Sequence, residues 1–383
     1  MTTGWTERAF EDCIDKVVYP RKIQRKEFLS DGAFPIVSQE SDFINGYWND
    51  SQVLFNVDKP VIIFGDHTKI IKYVDFDFVL GADGVKILAP KLFLNTKFVY
   101  YYLLAHPIQT LGYARHYRLL KDIKVLFPTL SEQRRIVTIL DEAFAGLEAM
   151  RANAEKNVQN ARELFDSYLI SVLRDGGPGW TEKTLRAIST EFGRGKSRHR
   201  PRGDPSLLGG KYPFIQTGDV ANSNHLIVEH SQTYNEAGLA QSKLWPKGTV
   251  CIAIVGANVA ETAILGFDAC FPDSVIGIVV DEKQADSEYV EFLLQTYKSE
   301  LKERGKGTAR DNINLATFET HAFPFPPIRQ QKGIVARIKD LSERTQNLES
   351  VYRQKLAAIS ELKQSLLQKA FSGQLTSSET IAA

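Results

Sequence analysis

Residues 136–172 read IVTILDEAFAGLEAMRANAEKNVQNARELFDSYLISV, and the spacing of their apolar positions decides the fold. Ile136, Leu140, Ala143, Leu147, Met150 and Ala154 alternate steps of four and three. One extra step of four leads to Val158, and the alternation resumes at Ala161, Phe165, Tyr168 and Val172. A period of 3.5 predicts a helix that winds around a partner with a left-handed supercoil, and the added four residues are a stutter that locally unwinds it. A second stretch repeats both features. Its stripe runs Ile334, Ile338, Leu341, Thr345, Leu348 and Tyr352, steps four to Leu356, and continues through Ile359, Leu366 and Ala370, interrupted by Lys363. Two stripes with one shared stutter are expected to pair with each other. Ser131 before Glu132 and Gln133 is the expected start of the first helix, and Gly176-Gly177-Pro178 its stop. About 43 residues at 1.5 Å each make a rod of roughly 64 Å, too long to lie inside a small domain. Within one chain the two rods are expected to run antiparallel, holding two globular heads apart.

Outward from the rods the whole chain repeats, as fixed-period self-similarity would show. Gly4-Trp5-Thr6-Glu7 recurs as Gly179-Trp180-Thr181-Glu182. Gly32, Phe34, Pro35, Ile36 and Val37 are echoed by Gly210, Tyr212, Pro213, Phe214 and Ile215, and Ala114-Arg115 by Ala309-Arg310. Phe127-Pro128 is followed in the second copy by Phe325-Pro326, after which an offset of 198 aligns Gln133 with Gln331 and Glu163-Leu164 with Glu361-Leu362. The expected division is a globular half over 1–127, a helix over 128–176, a second globular half over 177–325, a second helix over 326–375, and a disordered tail over 376–383.

Each globular half reads as α/β. Val61-Ile62-Ile63-Phe64 and the run Val275 to Val280 have the β-branched, bounded character of buried strands. Lys97 to His106 and Ser287 to Glu303 read as helices near the end of each half. With 383 residues, 43% hydrophobic, 24% charged and a net charge of +1, the chain belongs to the soluble globular class. No run of 18 apolar residues occurs, which excludes a helical membrane span, and the first residues do not resemble a targeting segment. Cys13, Cys251 and Cys270 are odd in number and make no Cys-x-x-Cys, which argues against a disulfide framework or structural zinc and for a reducing cytoplasm.

Basic clusters fall at matching places in the two halves. Arg194, Lys196, Arg198, Arg200 and Arg202 share nine residues with Ser197 and His199 and no acid; in an extended segment their period of two puts every cation on one face. The first half has Arg21, Lys22, Arg25 and Lys26. Near the Ala-Arg anchors lie Arg115, His116 and Arg118, and Arg304, Lys306 and Arg310 with Asn312. Cations mixed with Ser, Asn and Gln suit duplex DNA, where they hold phosphates and Arg, Asn and Gln read base edges.

Catalytic patterns are weak. Gly195-Lys196-Ser197 imitates the end of a phosphate-binding loop, but the required earlier glycine is Thr190. Pro272-Asp273 with Asp281, Glu282 and Lys283 imitates a metal-dependent nuclease signature, but without a counterpart in the first half, and it reads as a solvated loop. No amino-methyltransferase motif is present, and His67, His106 and His116 show no ligand spacing. The chain reads as non-catalytic, binding no metal and no cofactor of its own. A self-contained nuclease built on Asp273, Asp281 and Lys283, and a coiled-coil scaffold without a nucleic-acid role, are the competing classes.

From Trp5 to Leu375 the chain resembles the specificity (S) subunit of type I restriction–modification systems. The resemblance is carried by Ala309 to Asn312, by Phe325-Pro326-Pro327-Ile328-Arg329-Gln330-Gln331, and by the run Ser365 to Leu375. The first copy departs from it: Tyr117 stands where Asn312 does, and Thr129-Leu130 replaces the second Pro-Ile. The resemblance implies two target recognition domains on an antiparallel helical spacer and a split DNA target with a gap set by helix length. It also implies two docked methyltransferase (M) subunits carrying S-adenosylmethionine for adenine N6 methylation, joined by restriction (R) subunits that use ATP and magnesium.

Overall fold

The computed structural model describes residues 4–110, 112, 114–199, 204–305, 313 and 315–375. The expected disordered tail, 376–383, lies outside them. Two compact units are formed, Met1–Glu155 with Arg353–Ala383, and Lys156–Tyr352.

The two heads are built alike. In the first, one sheet has the strand order Ile14–Asp15, Val85–Pro90, Val61–Gly65, Ile71–Val74, and a second runs Gly46–Trp48, Phe34–Val37, Phe78–Leu80, Leu54–Phe55. The other head repeats the first sheet as Ser189–Arg194, Val275–Val280, Val250–Ala253, Thr262–Leu265, and adds Leu226–Ile227 at the edge. Its second sheet runs Gln232–Tyr234, Leu208–Phe214, Ala269–Cys270, Leu244–Trp245. Val61–Gly65 is buried at every residue, as its continuous apolar run requires of a strand covered on both faces. A helix lies against each first sheet, Thr96–Ala105 and Ser287–Thr296. The single helix expected over Ser287 to Glu303 breaks at Tyr297, whose N–H turns back to the Leu294 carbonyl at 3.1 Å, and a second helix follows at Lys298–Gly305.

The Gly-Trp-Thr-Glu repeat has a structural reason. Gly4 and Gly179 both adopt positive φ, +93° and +81°, where a side chain would be strained. Trp5 packs on Phe98 and Trp180 on Tyr289, the aromatic residues of the equivalent helices. Thr6–Ala9 pairs antiparallel with Lys124–Phe127 and Thr181–Thr184 with Ala322–Phe325, in one register, Thr6 opposite Phe127 and Thr181 opposite Phe325.

The rods are single helices, Leu130–Arg174 and Ile328–Phe371. Thr129 rather than Ser131 starts the first: its hydroxyl accepts the Glu132 N–H at 3.4 Å, the spacing of a capping box. Gly176, at φ +70°, follows its end. Within each unit the rods pair antiparallel. Glu148 meets Lys363 at 2.9 Å in one unit, and Arg162 meets Glu349 at 2.9 Å in the other. Fourteen residues forward on one rod match fourteen residues back on the other, so both pairs obey one register. Lys363, the interruption in the stripe, is thus an interhelical partner, and its ammonium also lies 5.1 Å from the Phe144 ring.

Most of the expected seam faces inward. Ile136, Leu140, Leu147, Ile334, Ile338 and Ile359 are buried, and Phe165, Leu341, Leu356 and Leu366 are half-buried. Met150 and Leu348 do not follow: they are 53% and 44% exposed. Nearer mid-rod the same stripe is buried again at the small Ala154 and Ala161.

Candidate nucleic-acid interface

Each head is fastened to its rod by one glutamine. Gln133 is fully buried; its Oε1 accepts the Asn95 N–H at 2.8 Å, and its amide donates to the carbonyls of Phe93 at 3.1 Å and Pro128 at 2.9 Å. Gln331 does the same in the second unit, accepting from Asp286 N–H at 2.9 Å and donating to Gln284 at 3.3 Å and Pro326 at 2.8 Å. Asn95 and Asp286 are the caps of the head helices, so each glutamine joins the start of a head helix to the start of a rod. About two turns further along each rod, an ion pair repeats with its polarity reversed: Lys97 with Asp141, and Glu288 with Lys339.

In head one, the two basic clusters predicted from sequence come together. Lys22 donates to the Val85 carbonyl at 3.1 Å and lies 5.1 Å from the Tyr19 ring. The next residue, Lys86, lies 5.2 Å from the ring of Tyr117, which also has Lys121 at 5.8 Å. Burial, and then the neighbouring Lys86 charge, hold the Lys22 ammonium below the usual lysine range. Burial raises the Tyr19 hydroxyl, which accepts the Ile87 N–H at 3.0 Å. Not every cation here is available. Arg21 pairs with Glu27 at 3.8 Å and Arg25 with Glu40 at 3.2 Å, whereas Lys26, Arg115 and Arg118 are exposed and make no ion pair among the described residues. His116 is buried, its N–H bonded to the Asp66 carbonyl at 2.7 Å. Lys86 was missed because nothing adjacent in sequence marks it.

In head two, burial alternates along the extended segment after Ser189–Arg194. Gly195 is buried, Lys196 exposed, Ser197 buried and Arg198 exposed. Lys196 and Arg198 therefore face out together, as the period of two requires. Ser197 does not join them: it is 5% exposed, with its hydroxyl 3.4 Å from that of Tyr234. The alternation that turns the cations outward turns it inward. Arg194 is half-buried. The backbone bends at Arg198 and His199, whose N–H groups both reach Gln241 Oε1, at 2.6 and 3.0 Å. Gly195 is needed for close approach, since a Cβ would come within 2.2 Å of the Phe271 carbonyl. Arg200, Arg202, Lys306, Arg310 and Asn312 lie outside the described residues, as does the side chain of Arg304. Asp281 is spent in its own turn, accepting the Lys283 N–H at 3.0 Å.

Residues 3–157 and 179–358 match the type I restriction modification DNA specificity domain, one copy on each half. The chain belongs to this family. It is 26% identical over 349 residues to the EcoR124I/EcoR124II specificity subunit of Escherichia coli, covering 84% of this chain and 83% of that protein. The StySPI specificity subunit of Salmonella potsdam is 21% identical over 66% of this chain and 58% of its own length. Two solved structures share the fold at 18% identity. One is a chain from a study of complex assembly and conformational transition of the type I R-M system, with a TM-score of 0.72 over 97% of this chain and 98% of that one. The other is the HsdS subunit from Thermoanaerobacter tengcongensis, with a TM-score of 0.55 over 97% of each. As a member of the type I DNA specificity family, the chain recognises DNA sequence and acts with other restriction–modification subunits. It is the specificity component, not the methyltransferase or the nuclease, and the nuclease and scaffold readings are set aside. Among the described residues no helix is long and apolar enough to cross a membrane.

Proposed function

We propose that each head reads one half of a two-part DNA target, that rod length sets the gap between the halves, and that two methyltransferase subunits dock on the rods. The observation that carries the stoichiometry is an exposed apolar pair that occurs twice. Met150 and Leu164 on the first rod are 53% and 66% exposed; their equivalents at the 198-residue offset, Leu348 and Leu362, are 44% and 49% exposed. They are distributed evenly: Met150 and Leu362 belong to the unit of the Glu148–Lys363 ion pair, and Leu164 and Leu348 to the unit of Arg162–Glu349. Large apolar side chains left outside a helix pair mark a partner surface, and two like surfaces related by a repeat suit two copies of one partner.

The exposed cations Lys26, Arg115, Arg118, Lys196 and Arg198 support phosphate contacts on both heads, which position the duplex, while neighbouring loops read bases. Joining two readers in one chain makes the second contact intramolecular and raises avidity. S-adenosylmethionine for adenine N6 methylation belongs to the methyltransferase partners, ATP and magnesium to the restriction subunits, and none of these to this chain. The complex works in the cytoplasm, where its DNA is. Mapping modified adenines in the genome of a host that carries this chain with its partner subunits tests the reading. One methylated sequence with two defined segments and a fixed gap is expected; a single uninterrupted segment would overturn it.

A further inference from the structure

The two heads share a framework but differ sharply in one connection. In head one, Phe34–Val37 passes to Gly46–Trp48 through residues 38–45. The equivalent connection in head two, residues 215–231, is about twice as long and holds the helix Thr217–Asn222 and the strand Leu226–Ile227. Variation confined to a loop on a common scaffold is where recognition is built.

The short loop of head one is clamped by a buried cation. Lys72, on Ile71–Val74, is 4% exposed. Its ammonium donates to the carbonyls of Asp42 and, at 3.4 Å, Phe43, and to Asn45 Oδ1 at 3.2 Å. Asn45 Oδ1 also accepts from the Ser38 N–H and hydroxyl, both at 2.8 Å, and the Asn45 amide donates to Asp42 at 2.9 Å. The carboxylates facing Lys72 are Glu40 and Asp42, and neither forms an ion pair with it among the described residues; Glu40 holds Arg25 instead. Burial outweighs both and brings the Lys72 ammonium down to about 8. Burying a cation without a paired carboxylate is costly, and the oxygens of this loop are what make it tolerable. Lys72 stands opposite Ile63; the matching residue of head two, opposite Cys251, is Ala263. The clamp belongs to head one.

The loop adjoins the first basic cluster through the Glu40–Arg25 ion pair at 3.2 Å. Gln39 Oε1 accepts the His67 N–H at 3.1 Å, its amide donates to the Asp83 carbonyl at 2.7 Å, and its carbonyl accepts the Thr68 hydroxyl at 2.7 Å, so the hairpin tip at 67–68 and the connection at Asp83 are tied to it. At its apex Phe43, edge-on to Phe76 at 6.0 Å, and Ile44 remain exposed. Exposed apolar side chains on a loop held in place match what a duplex offers between its phosphates, thymine methyl groups and base faces.

We propose that residues 38–45 are a base-reading loop of head one and that Lys72 is its positioning residue. The proposal rests on the two-head reading above. Its test is methylation mapping in a host carrying the chain with its methyltransferase partners, comparing the parent with Lys72→Met and with the double variant Phe43→Ala/Ile44→Ala. The double variant changes only exposed side chains, so it decides the matter even where Lys72→Met fails to accumulate. Both are expected to relax base preference by about tenfold at positions within one and the same half of the target, with the other half unchanged. A merely structural role for Lys72 would lower methylation without altering which bases are preferred. A double variant that keeps both half-sequences intact, or a Lys72→Met chain that relaxes neither half or both, overturns the assignment. A parent chain that directs no two-part sequence would instead remove the two-head reading itself, so the two failures are distinguishable.

Discussion

Gln133 and Gln331 are single residues with disproportionate duty. Each is fully enclosed and bonds one backbone N–H and two carbonyls, of which the Pro128 and Pro326 carbonyls belong to buried residues. Gln331→Leu keeps the volume but strands all three, and an unsatisfied buried group costs about 1–3 kcal/mol. We expect a destabilisation in that range, read from the denaturant midpoint of the chain. Lys72 and His225 give opposite pH signatures. Lys72 titrates near 8 in the folded protein instead of 10.5, so between those values the folded chain binds fewer protons than the unfolded one and stability rises with pH. The hydrogen bond from His225 Nδ1 to the buried Glu291, at 2.8 Å, raises the histidine despite its burial. Its contribution is complete below the ordinary histidine value and is lost as pH rises through the folded value. Unfolding curves across the lysine window are expected to show the parent gaining stability relative to Lys72→Met; a constant difference would disprove the linkage.

At the level of elements, the rods have a buried and an exposed apolar face. Inward, Ile136, Leu140, Ile334, Ile338 and Ile359 bury against the heads and the opposite helix. Outward, Met150 with Leu362 and Leu164 with Leu348 stay exposed, one pair in each unit. Charge placed on one pair should remove one partner only. Met150→Arg/Leu362→Arg is expected to reduce bound methyltransferase subunits from two per chain to one, measured by native mass spectrometry, with Leu164→Arg/Leu348→Arg doing the same independently. Two subunits retained by both variants would place the docking surface elsewhere.

For the whole molecule, the proposed ruler ties the spacing of the target to the length of the rods. The rods span 45 and 44 residues. Inserting one turn into both adds about 5.4 Å, between one and two base pairs at about 3.4 Å each. Adenine mapping is expected to show a longer gap and two unchanged half-sequences. Altered half-sequences with the original gap would rule out the ruler.

The duplication, the α/β character of the halves, the two rods and their pairing are all present in the order of residues. The reason is that a 3.5-residue period, a shared stutter and Gly-Trp-Thr-Glu are local patterns, and local patterns survive in one dimension. Much of the candidate interface is not of this kind. Which cations are neutralised, as Arg21 and Arg25 are by Glu27 and Glu40, depends on where loops return. Lys86 reaches Tyr117 only through sheet pairing, and Lys72 meets its loop only because Ile71–Val74 runs beneath it. Ser197 turned inward by strand alternation, and Met150 lies exposed between the buried Leu147 and Ala154 of its own stripe. Periodicity along the chain determines the elements; the desolvation and pairing of charge are set by neighbours distant in sequence, and those the tertiary structure alone decides.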